Sequence, residues 1–346
     1  MSAKIRAKLP AAAGGTTEDY QWPPQRPPKS FRRAKLPARR TAALTREIEE
    51  FFEQRLGVHA VLLPSGRAGF TMAFRAHGID RSRVVFSPQW VSYCVWTVIG
   101  RYGNPTISLD IEPDVLIAVH KWAEVARFSK PYRGLIIEDS VDTTFDNTNS
   151  LFPTGGLYEV LSLPKILASF SGGIVLTRDA GAAARFRDMR SEGDGLAEHQ
   201  SYLKYLMSRK IRTEANRFED WFSTEYANTQ LDSNGLLNVK DCLKNYDLNA
   251  AVMRRRLREV MAERPRFAAY FDVSTGRLPS VLSLPCDDFE PVPDPSQWML
   301  RRKLVGGLLD KPDYRLAYLL PLHGGVDERR FRRMFESLRL RPGRGL

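Results

Sequence analysis

Cysteine is scarce: Cys94, Cys242 and Cys286 are the only three in 346 residues. They stand too far apart for a disulfide framework or a paired metal-binding motif, and a reducing cytosol is the simplest compartment for such a chain. The five histidines, His59, His77, His120, His199 and His323, show no ligand spacing, so there is no basis for a metal site. Long apolar runs are missing too. None approaches the roughly 18 residues that cross a bilayer, and the first fifteen residues lack the apolar centre of a secretory signal. Acid is in deficit, with 40 Asp and Glu against 52 Lys and Arg. What remains is a chain with 43% hydrophobic residues, long enough to bury a sizeable core.

The deficit of acid is local. Residues 1–46 hold eleven Lys and Arg against Glu18 and Asp19, together with six prolines, and account for most of the net charge of +12. Like charges and prolines with little apolar content predict an extended or disordered N-terminal arm over 1–40. Such an arm can be solvated, or lie across a partner subunit. It lacks the interleaved aromatics of a single-strand nucleic-acid binder, so nucleic acid is not the expected partner.

Beyond the arm, strand and helix patterns alternate, which predicts an α/β fold with a mostly parallel sheet flanked by helices. The spacing of Ile48, Phe51, Phe52 and Leu56 predicts a helix from Thr45, stopped by Gly57. Ala60–Leu63 reads as a buried strand. Pro64-Ser65-Gly66-Arg67 then turns the chain into a helix whose N-terminus suits a phosphate. Val84–Phe86 is a further strand, followed by Ser87-Pro88-Gln89-Trp90-Val91-Ser92-Tyr93. Thr106–Asp110 reads as another. Gly134–Ile137 is a central parallel strand that leaves Asp139 at its C-terminal end, where open sheets place ligands. Tyr158–Leu163 is a strand delivering Lys165 past Pro164, and Gly172-Gly173 opens the next. Arg178–Arg190 and the arginines of Leu248–Met261 read as solvated helix faces.

A strand ending in an acid, a lysine on a short loop, and a Gly-Gly pair form a pattern that resembles the DegT-type sugar aminotransferases, a branch of the fold type I pyridoxal phosphate (PLP) enzymes. The resemblance runs from about residue 40 to 340. It implies a large PLP-binding domain over 41–245 and a small α+β C-terminal domain over 246–346. It implies that Lys165 holds the cofactor as a Schiff base and that Asp139 keeps the pyridine nitrogen protonated. Gly66, Arg67 and Ser162 would serve the phosphate. Trp90, or second to it Tyr93, would stack on the ring. Asp142 would face the phenolic oxygen, and Asn234, in a loop over Asn228–Leu237, would reach the cofactor of a second subunit in a homodimer. Two positions depart from the family pattern: Arg67 stands where the family has Thr, and Asp142 where it has Gln or His.

The activity implied is transfer of an amino group, with L-glutamate as donor, to a keto group on a nucleotide-linked sugar in glycan or natural-product synthesis. Alternatives are other PLP chemistry, such as dehydration, elimination or amination of a non-sugar ketone, and a non-catalytic partner subunit.

Overall fold

The computed structural model describes residues 20–25, 35–146, 150–191 and 229–342. The predicted arm lies outside these except for 20–25 and 35–40. Residues 20–25 form neither helix nor strand and bend at Gln21 and Trp22, with Tyr20 and Gln21 buried. Helix α1 spans Ala38–Leu56, starting seven residues earlier than the sequence pattern suggested, directly after Pro37. Leu44, Ile48, Phe52 and Leu56, one every fourth residue, form its buried stripe, and Gly57 ends it at φ +66°.

The next elements are β1 (His59–Leu63), α2 (Gly66–Ala76), β2 (Val84–Phe86), α3 (Tyr93–Tyr102), β3 (Asn104–Thr106), β4 (Val115–Val119) and β5 (Leu135–Asp139). They are followed by β6 (Thr143–Phe145), β7 (Tyr158–Ser162), α4 (Leu163–Leu167), β8 (Gly173–Thr177) and α5 (Ala180–Ser191). Seven strands form one sheet in the order β1-β8-β7-β5-β4-β2-β3. Strands β2, β3, β4, β5 and β7 pair in parallel, while β8 runs antiparallel to both β1 and β7. The expected strand over Thr106–Asp110 is instead Asn104–Thr106. The Thr106 and Ser108 hydroxyls accept from the backbone N–H groups of Ser108 and Asp110, which turns the chain out of the ladder.

Alternation along β1 shows why helices cover both faces. Val61 and Leu63 pack with Phe70 and Phe74 of α2, Val98 of α3 and Phe186 of α5. Ala60 and Leu62 pack with Ile48 and Phe52 of α1 and with Leu236 and Val239 of α6 (Ser233–Cys242). The basic stretch in α5 is partly engaged: Arg187 and Arg190 pair with Glu49 and Glu53 of α1.

Helix α7 (Asn245–Glu263) starts in this core through Tyr246 and ends in a second core through Met253, Leu257 and Val260. The second core joins the antiparallel sheet β10-β12-β11 (Val281–Pro285, Asp313–Pro321, Leu300–Val305) to α8 (Glu328–Ser337). The arginines of α7 are not all solvated. Arg256 is buried and donates to the carbonyls of His323 and Val326. Strand β9 (Arg277–Pro279) pairs with β6 and brings the buried Arg277 onto Glu159 of β7 at 2.6 Å. No helix among the described residues is long and apolar enough to cross a membrane.

Candidate active site

Lys165 sits on α4, a single helical turn entered through Pro164 directly from the end of β7. Two backbone bonds hold this turn against the start of α2. The Leu163 N–H donates to the Gly172 carbonyl (3.1 Å), and the Gly172 N–H donates to the Pro64 carbonyl (2.8 Å). Gly172 has φ +103°, which disfavours any side chain. Gly173 is excluded from carrying one for another reason: a Cβ would lie 2.6 Å from the Gly66 nitrogen. The Gly-Gly pair is therefore the joint between the lysine turn and the phosphate-type turn. At that turn the Ser65 hydroxyl accepts from the Ala68 N–H (3.2 Å) and caps α2. The N–H groups of the first turn have no partner within the helix and carry its positive dipole end.

Asp139 ends β5, the middle strand of the sheet, and is buried. Burial pushes its carboxyl up to about 6, with the Lys165 charge opposing and the nearby Asp142 carboxylate adding to the rise. Its Oδ1 accepts from the Val141 N–H at 3.2 Å. The preceding Glu138 serves the scaffold. Its Oε1 accepts from the Gly156 N–H (2.7 Å), and its Oε2 lies 2.7 Å from His120 Nε2. His120 Nδ1 accepts from the Ala126 N–H (3.0 Å), so Nε2 carries the hydrogen and the ring is neutral. Burial alone would raise the Glu138 carboxyl, but the bonds from His120 and Gly156 hold it below its ordinary range.

A cavity of about 210 Å³ gathers Gly66, Arg67, Asp139, Ser162 and Lys165. The remaining sequence candidates are not on its wall. Trp90 is 44% exposed and Tyr93 77% exposed. The turn before α3 sends Trp90 outward, where the Arg302 guanidinium lies 5.5 Å from its ring. Tyr93 opens α3 on the solvent side, and Ser92, Cys94 and Val95 face the cavity instead. Asp142 lies close enough for its charge to act on Asp139, but its Oδ1 accepts from the Trp122 N–H at 3.0 Å. Asn234 is buried in the first turn of α6, a helix where a loop was expected; Asn228 lies outside the described residues.

Two aromatics do line the cavity, Phe70 of α2 and Trp22, and it is the Trp22 ring whose centroid is 4.3 Å from Lys165 Nζ. Nothing in the sequence pattern singles out Trp22, because it precedes the fold by sixteen residues and no periodicity places it. A second, larger cavity of about 600 Å³ is lined by Trp90, Lys121, Arg127, Arg302, Tyr314 and Arg315. Burial lowers the Lys121 pKa from its ordinary value, against the pull of Asp142.

The smaller cavity combines a lysine amine, a buried carboxylate and a helix N-terminus. This set suits pyridoxal phosphate: an amine for the aldehyde, a carboxylate for the ring nitrogen, and helix N–H groups for the phosphate.

Comparison with known proteins agrees. A family model described as "Putative PLP-dependent aminotransferase" matches residues 48–340. No curated protein matches the chain. Among solved structures, a DegT DnrJ EryC1 StrS aminotransferase from Brucella abortus superposes with TM-score 0.53 at 15% identity, covering 85% of this chain and 89% of that one. DesI, solved in the presence of its TDP-sugar product, gives 0.53 at 16% identity over 94% and 93%. NtdA from Bacillus subtilis, with bound PMP, gives 0.54 at 11% over 85% and 76%. The fold is thus that of the fold type I enzymes, and the chain belongs to the PLP-dependent aminotransferases.

Proposed function

We propose that this aminotransferase takes an amino group from L-glutamate at Lys165 and passes it to a keto group on a nucleotide-linked sugar, in glycan or natural-product synthesis. The observation that carries the site assignment is the meeting of Lys165, Asp139 and the capped start of α2 in one cavity. When bound, PLP supplies an electron sink for the carbanion formed at the substrate Cα. Asp139 anchors the ring nitrogen as a cation. The first turn of α2, with Ser65 holding its cap and Ser162 beside it, seats the phosphate. Lys165 Nζ would hold the cofactor, and as a free amine it would carry the proton to and from the substrate Cα. Arg67, in the place of the family's threonine, adds its guanidinium to the phosphate end.

The nucleotide-linked acceptor is supported by the larger cavity. Its lining includes Trp90 and the Lys121, Arg127, Arg302 and Arg315 cations, a combination that suits phosphates and a flat base. That DesI was solved with its TDP-sugar product points the same way. We further propose a homodimer and a cytoplasmic setting, in keeping with three free thiols.

The test is the absorbance spectrum of the purified protein with PLP, before and after L-glutamate, in wild type and Lys165→Ala. A visible band of lysine-bound cofactor that shifts with L-glutamate in wild type and never forms in the variant is expected. No band in wild type would sink the assignment of Lys165. A band indifferent to amino donors would move the reading to other PLP chemistry. Screening UDP- and TDP-linked keto-sugars against the aminated enzyme then tests the acceptor.

A further inference from the structure

The segment 20–25 is fastened to the C-terminal core at several points. The Tyr20 hydroxyl donates to the Leu319 carbonyl (3.0 Å) and accepts from the Met299 N–H (2.7 Å). His323 Nδ1 accepts from the Gly325 N–H, so its Nε2–H donates to the Tyr20 carbonyl at 2.7 Å. The Ser280 hydroxyl donates to the Gln21 carbonyl at 2.6 Å. The next residue, Trp22, is half-buried, lines the cofactor cavity and is set over Lys165 at 4.3 Å, and its Nε1–H is buried with no partner among the described residues. A buried donor left unmatched is uncommon in folded proteins, and a water or a bound ligand can supply its partner.

Resting on the reading of Lys165 above, we infer that Trp22 is a specificity-determining residue: its ring covers the reacting end of Lys165, and its indole N–H donates to an oxygen of the substrate seated there. That oxygen is either the α-carboxylate of the amino-acid donor or a hydroxyl or carbonyl of the keto acceptor. Four anchors hold the strap in place, so the donor is positioned before substrate arrives and little ordering cost falls on binding.

Trp22→Phe keeps a ring and deletes the N–H. The experiment uses PLP-loaded full-length protein, with Trp22→Phe beside wild type. It records the lysine-bound absorbance band and the thermal midpoint, the apparent Kd for L-glutamate and 2-oxoglutarate by calorimetry, and KM and kcat with UDP- and TDP-linked keto-sugars. The band and the midpoint are expected to stay, because neither needs the N–H. Loss of one hydrogen bond to a charged oxygen weakens binding by about tenfold or more. Such a loss for L-glutamate and 2-oxoglutarate assigns the donor carboxylate. A rise of that size confined to the KM for the keto-sugars, with kcat kept, assigns the acceptor oxygen. Binding and KM unchanged on both sides overturn the inference. A wild type without the lysine-bound band overturns instead the reading of Lys165 on which this one stands, and the band is seen independently of Trp22.

Discussion

Replacing Asp139 by Asn tests the electrostatics of the site before any turnover is measured. In the protein without cofactor, burial lifts the Asp139 carboxyl from 3.8 to about 6. Between those pH values the folded state keeps a proton that the unfolded chain has lost, so stability falls as pH rises through the window and the cost is complete above about 6. The distance corresponds to about 3 kcal/mol. Asn resembles the neutral acid and carries no such slope. Urea melts of cofactor-free wild type and Asp139→Asn should therefore diverge from pH 4 to pH 7, the variant gaining about 3 kcal/mol relative to wild type. Taking the difference cancels the other carboxylates, which are common to both proteins.

Adding PLP should reverse the order. A charge pair near contact distance at an effective dielectric of 20 is worth about 4 kcal/mol, which exceeds the burial cost, so the cofactor's ring cation makes ionised Asp139 favourable. PLP is then expected to stabilise wild type more than the variant at pH 7, and the L-glutamate half-reaction to slow by about a hundredfold or more in the variant, since the loss is of the order of 3 to 4 kcal/mol. A pH-independent stability difference between the cofactor-free proteins, or a half-reaction within a few-fold of wild type, would refute the role given to Asp139.

Gly173→Ala should abolish cofactor binding in a spectroscopic titration while the protein still folds, because its Cβ must displace the Ser65–Gly66 backbone that opens α2. Arg277→Met leaves Glu159 buried without its cation and should cost about 3–5 kcal/mol in urea unfolding, most of it recovered in Arg277→Met/Glu159→Gln. A single and a double variant of equal stability would show that the pair is not what joins β9 to the sheet.

The sheet strands were legible because Ala60–Leu63, Val84–Phe86, Gly134–Ile137 and the run before Lys165 are short apolar stretches bounded by turn residues, the pattern of strands covered on both faces. Helix α1 was legible in its interior and not at its start, since residues 38–44 form helix without an apolar signal of their own. Asp139 and Lys165 could be picked out because each lies at or just past the C-terminal end of a parallel strand, so strand pattern alone puts them at the same edge. Gly172-Gly173 was visible as a pair, but its purpose was not: one residue needs a positive φ and the other a bare approach to Gly66, and both demands arise only when β8 lies beside α2.

The covering aromatic shows where local pattern stops. Trp90 and Tyr93 stand at the right distance along the chain, yet Trp90 lies in the turn before α3, and the rotation of about 100° per residue along the helix gives the cavity to Cys94 and Val95 rather than Tyr93. Trp22 reaches it from a segment whose neighbours are Leu319, Met299 and His323, about 300 residues away. Buried hydrogen bonds between such distant residues leave no periodic trace in sequence. The sequence by itself determined the kind of sheet and put Lys165 and Asp139 at one edge of it, because strand length and turn chemistry are local. Which ring closes over the lysine, and what the glycines are for, were decided by close contacts that exist only once the two cores have formed.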